Sequence, residues 1–135
     1  SILSDQYKRG NPSMNKIDVQ VEPTYIAEQS DPANDHYVFS YTVTIRNNGS
    51  APAKLLTRHW IITDGDGKVQ EVKGDGVVGE QPHLQPGEGY QYTSGTFMST
   101  PFGTMHGSYQ MISDAGEKFD AEIPAFQLSV PNTLH

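Results

Sequence analysis

Cysteine is absent from this chain of 135 residues. No disulfide, thiolate metal site or cysteine nucleophile can therefore form, and the composition fits a reducing compartment. Long apolar runs are lacking too, since none approaches the roughly 20 residues that a membrane-spanning helix requires. The N-terminus has neither the basic nor the apolar region of a signal peptide. We therefore expect a cytoplasmic protein that does not enter a membrane.

Basic residues are scarce: nine Lys and Arg stand against sixteen Asp and Glu, which gives a net charge of -7 at pH 7. The longest basic cluster is the pair Lys8 and Arg9. Nucleic acids and acidic membrane surfaces are bound through concentrated positive charge, so the sequence disfavours both as partners. The length is typical of a single domain.

Helical periodicity is also lacking, and a two-residue alternation takes its place. It is clearest over residues 36–47, where Tyr37, Phe39, Tyr41, Val43 and Ile45 share one face. Similar segments follow, separated by turn signals such as the Asp-Gly repeat at 64–67. Seven or eight short strands in this arrangement predict an all-β protein built as a sandwich of two antiparallel sheets.

The alternation also predicts the core, as the side chains that share the inward face of each strand. These are Val19, Phe39, Tyr41, Val43, Trp60, Tyr92, Met105, Tyr109, Met111, Phe119, Ile123 and Phe126. The phase of the third strand, near residues 54–63, stays open because Arg58 shares a face with Leu56, Trp60 and Ile62. A carboxylate is the partner expected for Arg58.

Residues 74–82 read G-D-G-V-V-G-E-Q-P and satisfy the spacing of a dinucleotide-binding motif. That motif holds a pyrophosphate at a helix N-terminus, and Pro82 and Pro86 would break such a helix. Amides in a concave nest could still bind an anion, whereas Asp75 inside the loop opposes one. A tight loop between strands is the leading interpretation. The candidate anion-binding residues are Gly74, Gly76, Gly79 and Arg58.

Catalytic and metal-binding spacings are missing as well. The five histidines, at positions 36, 59, 83, 106 and 135, form no H-x-H or H-x-x-x-H pair, and the calcium-loop pattern that begins at Asp64 fails after Asp66. No G-x-S-x-G elbow is present. We therefore expect no metal, no cofactor and no enzymatic activity. An enzyme such as a phosphohydrolase is the least supported alternative.

Several separated motifs occur in one order: R-H-W at 58–60, the segment 74–82, Y-T-S-G at 92–95, G-S-Y-Q-M at 107–111 and L-H at 134–135. Over residues 16–135 the chain thereby resembles the bacterial ApaG family. The resemblance implies a fibronectin type III-like sandwich of seven antiparallel strands, in sheets of three and four. It also implies a protein-interaction role, as in related eukaryotic F-box proteins, and an indirect link to cobalt and magnesium homeostasis. Residues 1–15 have no counterpart and are expected to be a flexible arm or a remnant of expression.

The expected function is thus a small non-enzymatic module that binds an unidentified protein. Loops 74–82 and 97–103 are the predicted contact surface, with Glu80, Gln81, His83 and His59 as candidate contact residues. The alternative is a nucleotide or pyrophosphate sensor that uses the amides of residues 74–79. Exposed strand edges are compatible with a monomer or a weak dimer.

Overall fold

A computed structural model describes residues 15–131, which form eight strands and two short 3-10 turns. The strands are β1 (Ile17–Tyr25), β2 (Tyr37–Asn47), β3 (Ala53–Asp64), β4 (Val69–Asp75), β5 (His83–Leu84), β6 (Gly89–Met98), β7 (Phe102–Ser113) and β8 (Lys118–Ser129). The turns span Ala27–Gln29 and Pro32–Asn34. Residues 1–14 of the expected arm, and the motif at 134–135, lie outside the described residues.

The strands form two sheets in which all pairs are antiparallel. The first has the order β1-β2-β6, and the second has the order β4-β3-β7-β8 with β5 paired to one end of β3. This confirms the predicted all-β sandwich. The seven long strands match the expected three plus four, and the two-residue β5 extends the second sheet to five.

The core lies between the sheets, where the alternating side chains meet. Ten of the twelve predicted core residues are buried, whereas Phe119 and Phe126 are partly buried and pack against them. The predicted core omitted several other buried side chains, among them Ile45, Leu55, Val77, Leu84, Met98 and Leu128. Val77 and Leu84 lie in or beside a loop, so no strand pattern marked them.

A β-bulge in β3 settles the phase of that strand. The register against β7 shifts between Leu55 and Thr57, so the extra residue Leu56 moves the inward face by one position. Leu55 is therefore buried before the bulge, and Trp60 after it. A strict two-residue period could not assign both.

Asn47 is a fully buried polar residue that positions the loops at one end of the sandwich. Its side-chain Nδ2 donates hydrogen bonds of 2.9 Å to the carbonyls of Ala51 and Leu84, and its Oδ1 accepts one of 2.9 Å from the amide of Gly49. These bonds attach β5 to the β2–β3 turn. Among residues 15–131, no helix is long and apolar enough to cross a membrane.

Candidate functional site

The two long sides of the sandwich differ. On one side the edge strands β1 and β8 contact each other. On the other side, the edges β4 and β6 border a cleft with two adjoining cavities, of about 440 and 300 Å³. Both cavities are lined by Ile62, Gln70 and Phe97. We call this cleft the side groove; its other lining residues include Tyr41, Arg58, Trp60, Asp64, Val69 and Val72.

Aromatic side chains form the floor of the side groove. Trp60 is almost fully buried, and its ring centroid lies 5.2 Å from that of Tyr41 in a tilted arrangement. The Trp60 ring also meets Tyr109 and Phe126 edge-on. Aromatic pairs in tilted and edge-to-face arrangements of this kind stabilise the packing of the floor.

Two apolar side chains at the mouth of the side groove are exposed. Phe97 of β6 is 62% exposed and Val69 of β4 is 61% exposed. The Phe97 ring is partly supported by the ring of His36, with centroids 5.1 Å apart. Large apolar side chains grouped at the mouth of a cleft are typical of a binding surface. Phe97 belongs to the predicted contact loop 97–103, whereas Val69 was not among the predicted contact residues.

The mouth also carries charge, from Asp35, Asp64 and Lys68. Oδ1 of Asp64 accepts hydrogen bonds of 2.9 Å from the backbone amides of Asp66 and Lys68, which fixes the β3–β4 turn. Two carboxylates against one ammonium give this end of the groove a negative charge.

Arg58 lies where the side groove meets the glycine-rich segment. Its Nη1 donates hydrogen bonds of 2.9 Å to the Asp75 carbonyl and 2.8 Å to the Gly76 carbonyl. The expected carboxylate partner was therefore wrong, because main-chain oxygens occupy the guanidinium. A Cβ at Gly74 would lie 2.7 Å from the guanidinium carbon, which explains the glycine opposite Arg58.

The segment 76–81 is a tight loop, and three of its amides donate to main-chain carbonyls of the same chain. The amides of Gly76 and Val77 donate to the carbonyls of Leu56 and Glu80, each at 2.8 Å, and the Glu80 amide donates back to Val77 at 2.9 Å. Val78 and Gly79 both have positive φ between this bridged pair, as in a type I′ turn. Val77 is fully buried and anchors the loop to the core. Anion binding by these glycines stays a prediction, and the amides of Gly76 and Val77 already have acceptors.

The four predicted contact residues lie on β3, on β5 and in the loop that precedes β5. Nε2 of His59 lies 2.5 Å from Glu71 Oε2, and Nε2 of His83 lies 2.7 Å from Asp114 Oδ1. His83 pairs with Lys54 of β3, five residues from His59, so the backbone positions of the two histidines are separated by roughly 16 Å along the strand. Gln81 Nε2 donates to the Leu56 carbonyl at 2.9 Å, and the exposed Glu80 lies beside it in the loop. The structure does not bring these four side chains together.

Titratable groups behind the groove are unsuited to proton transfer near neutral pH. The hydroxyls of Tyr92 and Tyr109 are hydrogen-bonded to each other in the core. Burial raises the pKa of Tyr92 to about 12 and also raises the pKa of Tyr109, so both phenols stay neutral. Within the described residues, no three His, Asp or Glu side chains are grouped closely enough to hold a metal ion.

Fold and groove together define an open antiparallel β-sandwich with a cleft on one side. The ApaG domain family matches residues 27–113 of this chain. Protein ApaG of Thiobacillus denitrificans is 59% identical over 120 residues, which cover 89% of this chain and 94% of the relative. Protein ApaG of Ectopseudomonas mendocina is 60% identical over 120 residues, which cover 89% and 95%.

Solved structures agree with the sequence relatives. A Bordetella pertussis protein described as ApaA superposes with a TM-score of 0.85 at 52% identity, covering 87% of this chain and 96% of that one. The chain belongs to the ApaG family. The resemblance drawn from the separated motifs is confirmed.

Proposed function

We propose that this chain is a non-enzymatic cytoplasmic module that binds another protein through the side groove. The observation that carries the proposal is the exposure of Phe97 and Val69 on either side of a cleft with an aromatic floor. Aromatic side chains at the centre of an interface supply much of its binding energy. The partner gains most by covering Phe97, because that ring is already held in place by His36.

The groove geometry favours a protein over a small substrate. The cleft runs between two strands from Arg58 to the turn at Asp64, and the Arg58 guanidinium donates to carbonyls. A small-molecule site needs several polar groups that converge on one ligand. The groove offers length and apolar area instead. A role in cobalt or magnesium homeostasis would therefore act through the bound partner.

The test compares binding by matched surface variants. Purified wild-type chain, Phe97→Asp and Phe102→Asp are immobilised, and proteins retained from a native extract are quantified for each. Phe102 is a suitable control because it is 54% exposed and packs beside Gly65, outside the groove. We expect a partner that wild type and Phe102→Asp retain and Phe97→Asp loses, and that rebinds as a purified protein.

The double variant Gln81→Ala/His83→Ala tests the predicted contact residues in the same assay. If it loses the partner while Phe97→Asp keeps it, the binding surface is the glycine-rich loop and the side groove proposal is wrong. If every variant retains the same proteins equally, neither surface binds a partner.

A further inference from the structure

The four long edge strands of the sandwich are unequally protected against pairing with another chain. β1 contains Pro23 and β8 contains Pro124, and both strands carry acidic residues. β4 is short and charged. Prolines and charges on edge strands are the usual devices that prevent an extra strand from adding. β6 is the exception, because its ten residues, G-Y-Q-Y-T-S-G-T-F-M, include no proline and no charge.

The outer edge of β6 is also accessible. Within residues 15–131, β6 pairs with β2 and is the terminal strand of its sheet. Alternate residues of such a strand direct their backbone N–H and C=O groups away from the sheet. These groups border the side groove, since Ser94, Gly95, Thr96 and Phe97 line it.

We propose that the side groove binds its partner by strand addition: an extended segment of another protein pairs with β6. This inference rests on the proposed function and names its binding mode. The main chain of the segment would extend the sheet from β2 and β6, and alternate side chains would enter the groove over Trp60 and Ile62. A free edge beside a row of side-chain pockets is the arrangement that binds peptides as added strands.

The charges of the chain and of the groove indicate which residues the bound segment carries. The chain carries a net charge of -7, so a second copy would meet electrostatic repulsion. Asp35 and Asp64 outnumber Lys68 at the mouth of the groove. The occupant is therefore an extended segment with apolar residues at alternate positions and a Lys or Arg at the end that faces Asp35 and Asp64.

The experiment uses peptides selected on the whole chain. A library of random twelve-residue peptides is panned against the wild-type protein and counter-selected on Phe97→Asp. The enriched peptides are synthesised and titrated into labelled protein while amide spectra and hydrogen exchange are followed. We expect alternating apolar sequences with a basic residue, and slower exchange for β6 amides that do not bond to β2.

N-methylation of the selected peptide at each position in turn tests for a strand directly. In a strand added to one edge, N–H groups face β6 at every second residue. Methylation should therefore abolish binding at every second position of the peptide and leave binding nearly unchanged at the positions between them. Asp35→Asn should weaken binding about threefold, as expected for an exposed ion pair, and should not weaken binding of a peptide whose Lys is replaced by Gln.

The outcomes separate the two proposals. Peptides that bind the groove without this alternation or slower β6 exchange overturn strand addition and leave the proposed function standing. Peptides that bind Phe97→Asp as well as wild type, or no enrichment at all, count against both. Sedimentation that shows a dimer with protected β6 amides would make a second copy the occupant and overturn the choice of a basic segment.

Discussion

The glycine-rich loop and the side groove adjoin at Arg58. They differ in how many of their polar groups are hydrogen-bonded and in how much of their apolar surface is exposed. In the loop, the amides of Gly76, Val77 and Glu80 donate to main-chain carbonyls, Arg58 donates to the carbonyls of Asp75 and Gly76, and Val77 is buried. In the groove, Phe97 and Val69 are exposed. The loop drew attention in the sequence because glycine spacing is conspicuous. Our proposal assigns binding to the groove and not to the loop.

The difference shows that one residue type can serve two physical purposes. Glycine is needed in a phosphate-binding loop so that a ligand can approach the backbone, and it is needed here so that the chain can approach itself. A Cβ at Gly76 would lie 2.3 Å from the Glu80 carbonyl oxygen. At Gly76, the space that a ligand would approach is occupied by the Glu80 backbone.

Gly76→Ala should give the largest effect on stability. The added methyl group collides with the Glu80 backbone at a residue whose φ is +61°, so we expect the free energy of unfolding to fall by about 3 kcal/mol. Gly79→Ala is the matched control, since φ is +82° there and no atom lies within 4 Å of the Cβ position. It should lose about 1 kcal/mol. Equal losses in urea unfolding would contradict the packed loop.

Arg58→Met should give the second largest loss in the free energy of unfolding, about 2 kcal/mol. The guanidinium donates to two loop carbonyls, and charged hydrogen bonds of this kind contribute about 2 kcal/mol. Amide exchange over residues 76–81 should accelerate in parallel. Arg46→Met is the control, because Arg46 makes one exposed bond of 3.3 Å to Gly87 and should lose under about 0.5 kcal/mol. An unchanged loop in Arg58→Met would show that Arg58 does not hold it.

Val78→Asn should stabilise the protein by about 1 kcal/mol. A β-branched residue is strained at φ +44°, and Asn suits the first central position of a type I′ turn. Val69→Asn is the control: Val69 is similarly exposed but lies in an extended strand, where Asn is unfavourable. Thermal unfolding should therefore shift in opposite directions for the two variants. A shift in the same direction would argue against strain at Val78.

Phe97→Asp should change the free energy of unfolding by only about 0.5 kcal/mol, because the ring is mostly exposed and leaves no cavity. The expected loss is much smaller than that of Gly76→Ala, because Phe97 is exposed in the groove whereas Gly76 is packed within the loop. Urea unfolding measures it, and circular dichroism checks the fold. A loss several times larger would assign Phe97 to the core and invalidate it as a probe of binding.

Pyrophosphate or ATP at millimolar concentration should leave the amide signals of residues 74–79 unshifted, with or without magnesium. The amides of Gly76 and Val77 already donate to Leu56 and Glu80, and Asp75 repels an anion. Amide spectra recorded during titration provide the measurement. Saturable shifts confined to this loop would revive the sensor hypothesis.

The sequence by itself determined the strands and most of the core. A strand exposes one face and buries the other, so alternation at Phe39, Tyr41 and Val43 is a local signal that needs no knowledge of the partner strand. The family could also be identified from the sequence, because several separated motifs occur in the order typical of that family. The sequence also shows that β6 has no charged residue and that Phe97 lies on its polar face. These two features suggest a binding surface only once β6 is known to be the edge strand of a sheet.

Only the tertiary structure decided which edges meet and which stay apart. The β3 bulge, the burial of Val77 and the carbonyl partners of Arg58 each depend on contacts between residues distant along the chain. No local pattern records such contacts, because they arise only when the strands pair and the two sheets pack. The glycine-rich loop can therefore be predicted as a turn from the sequence, whereas the side groove forms only in the folded molecule.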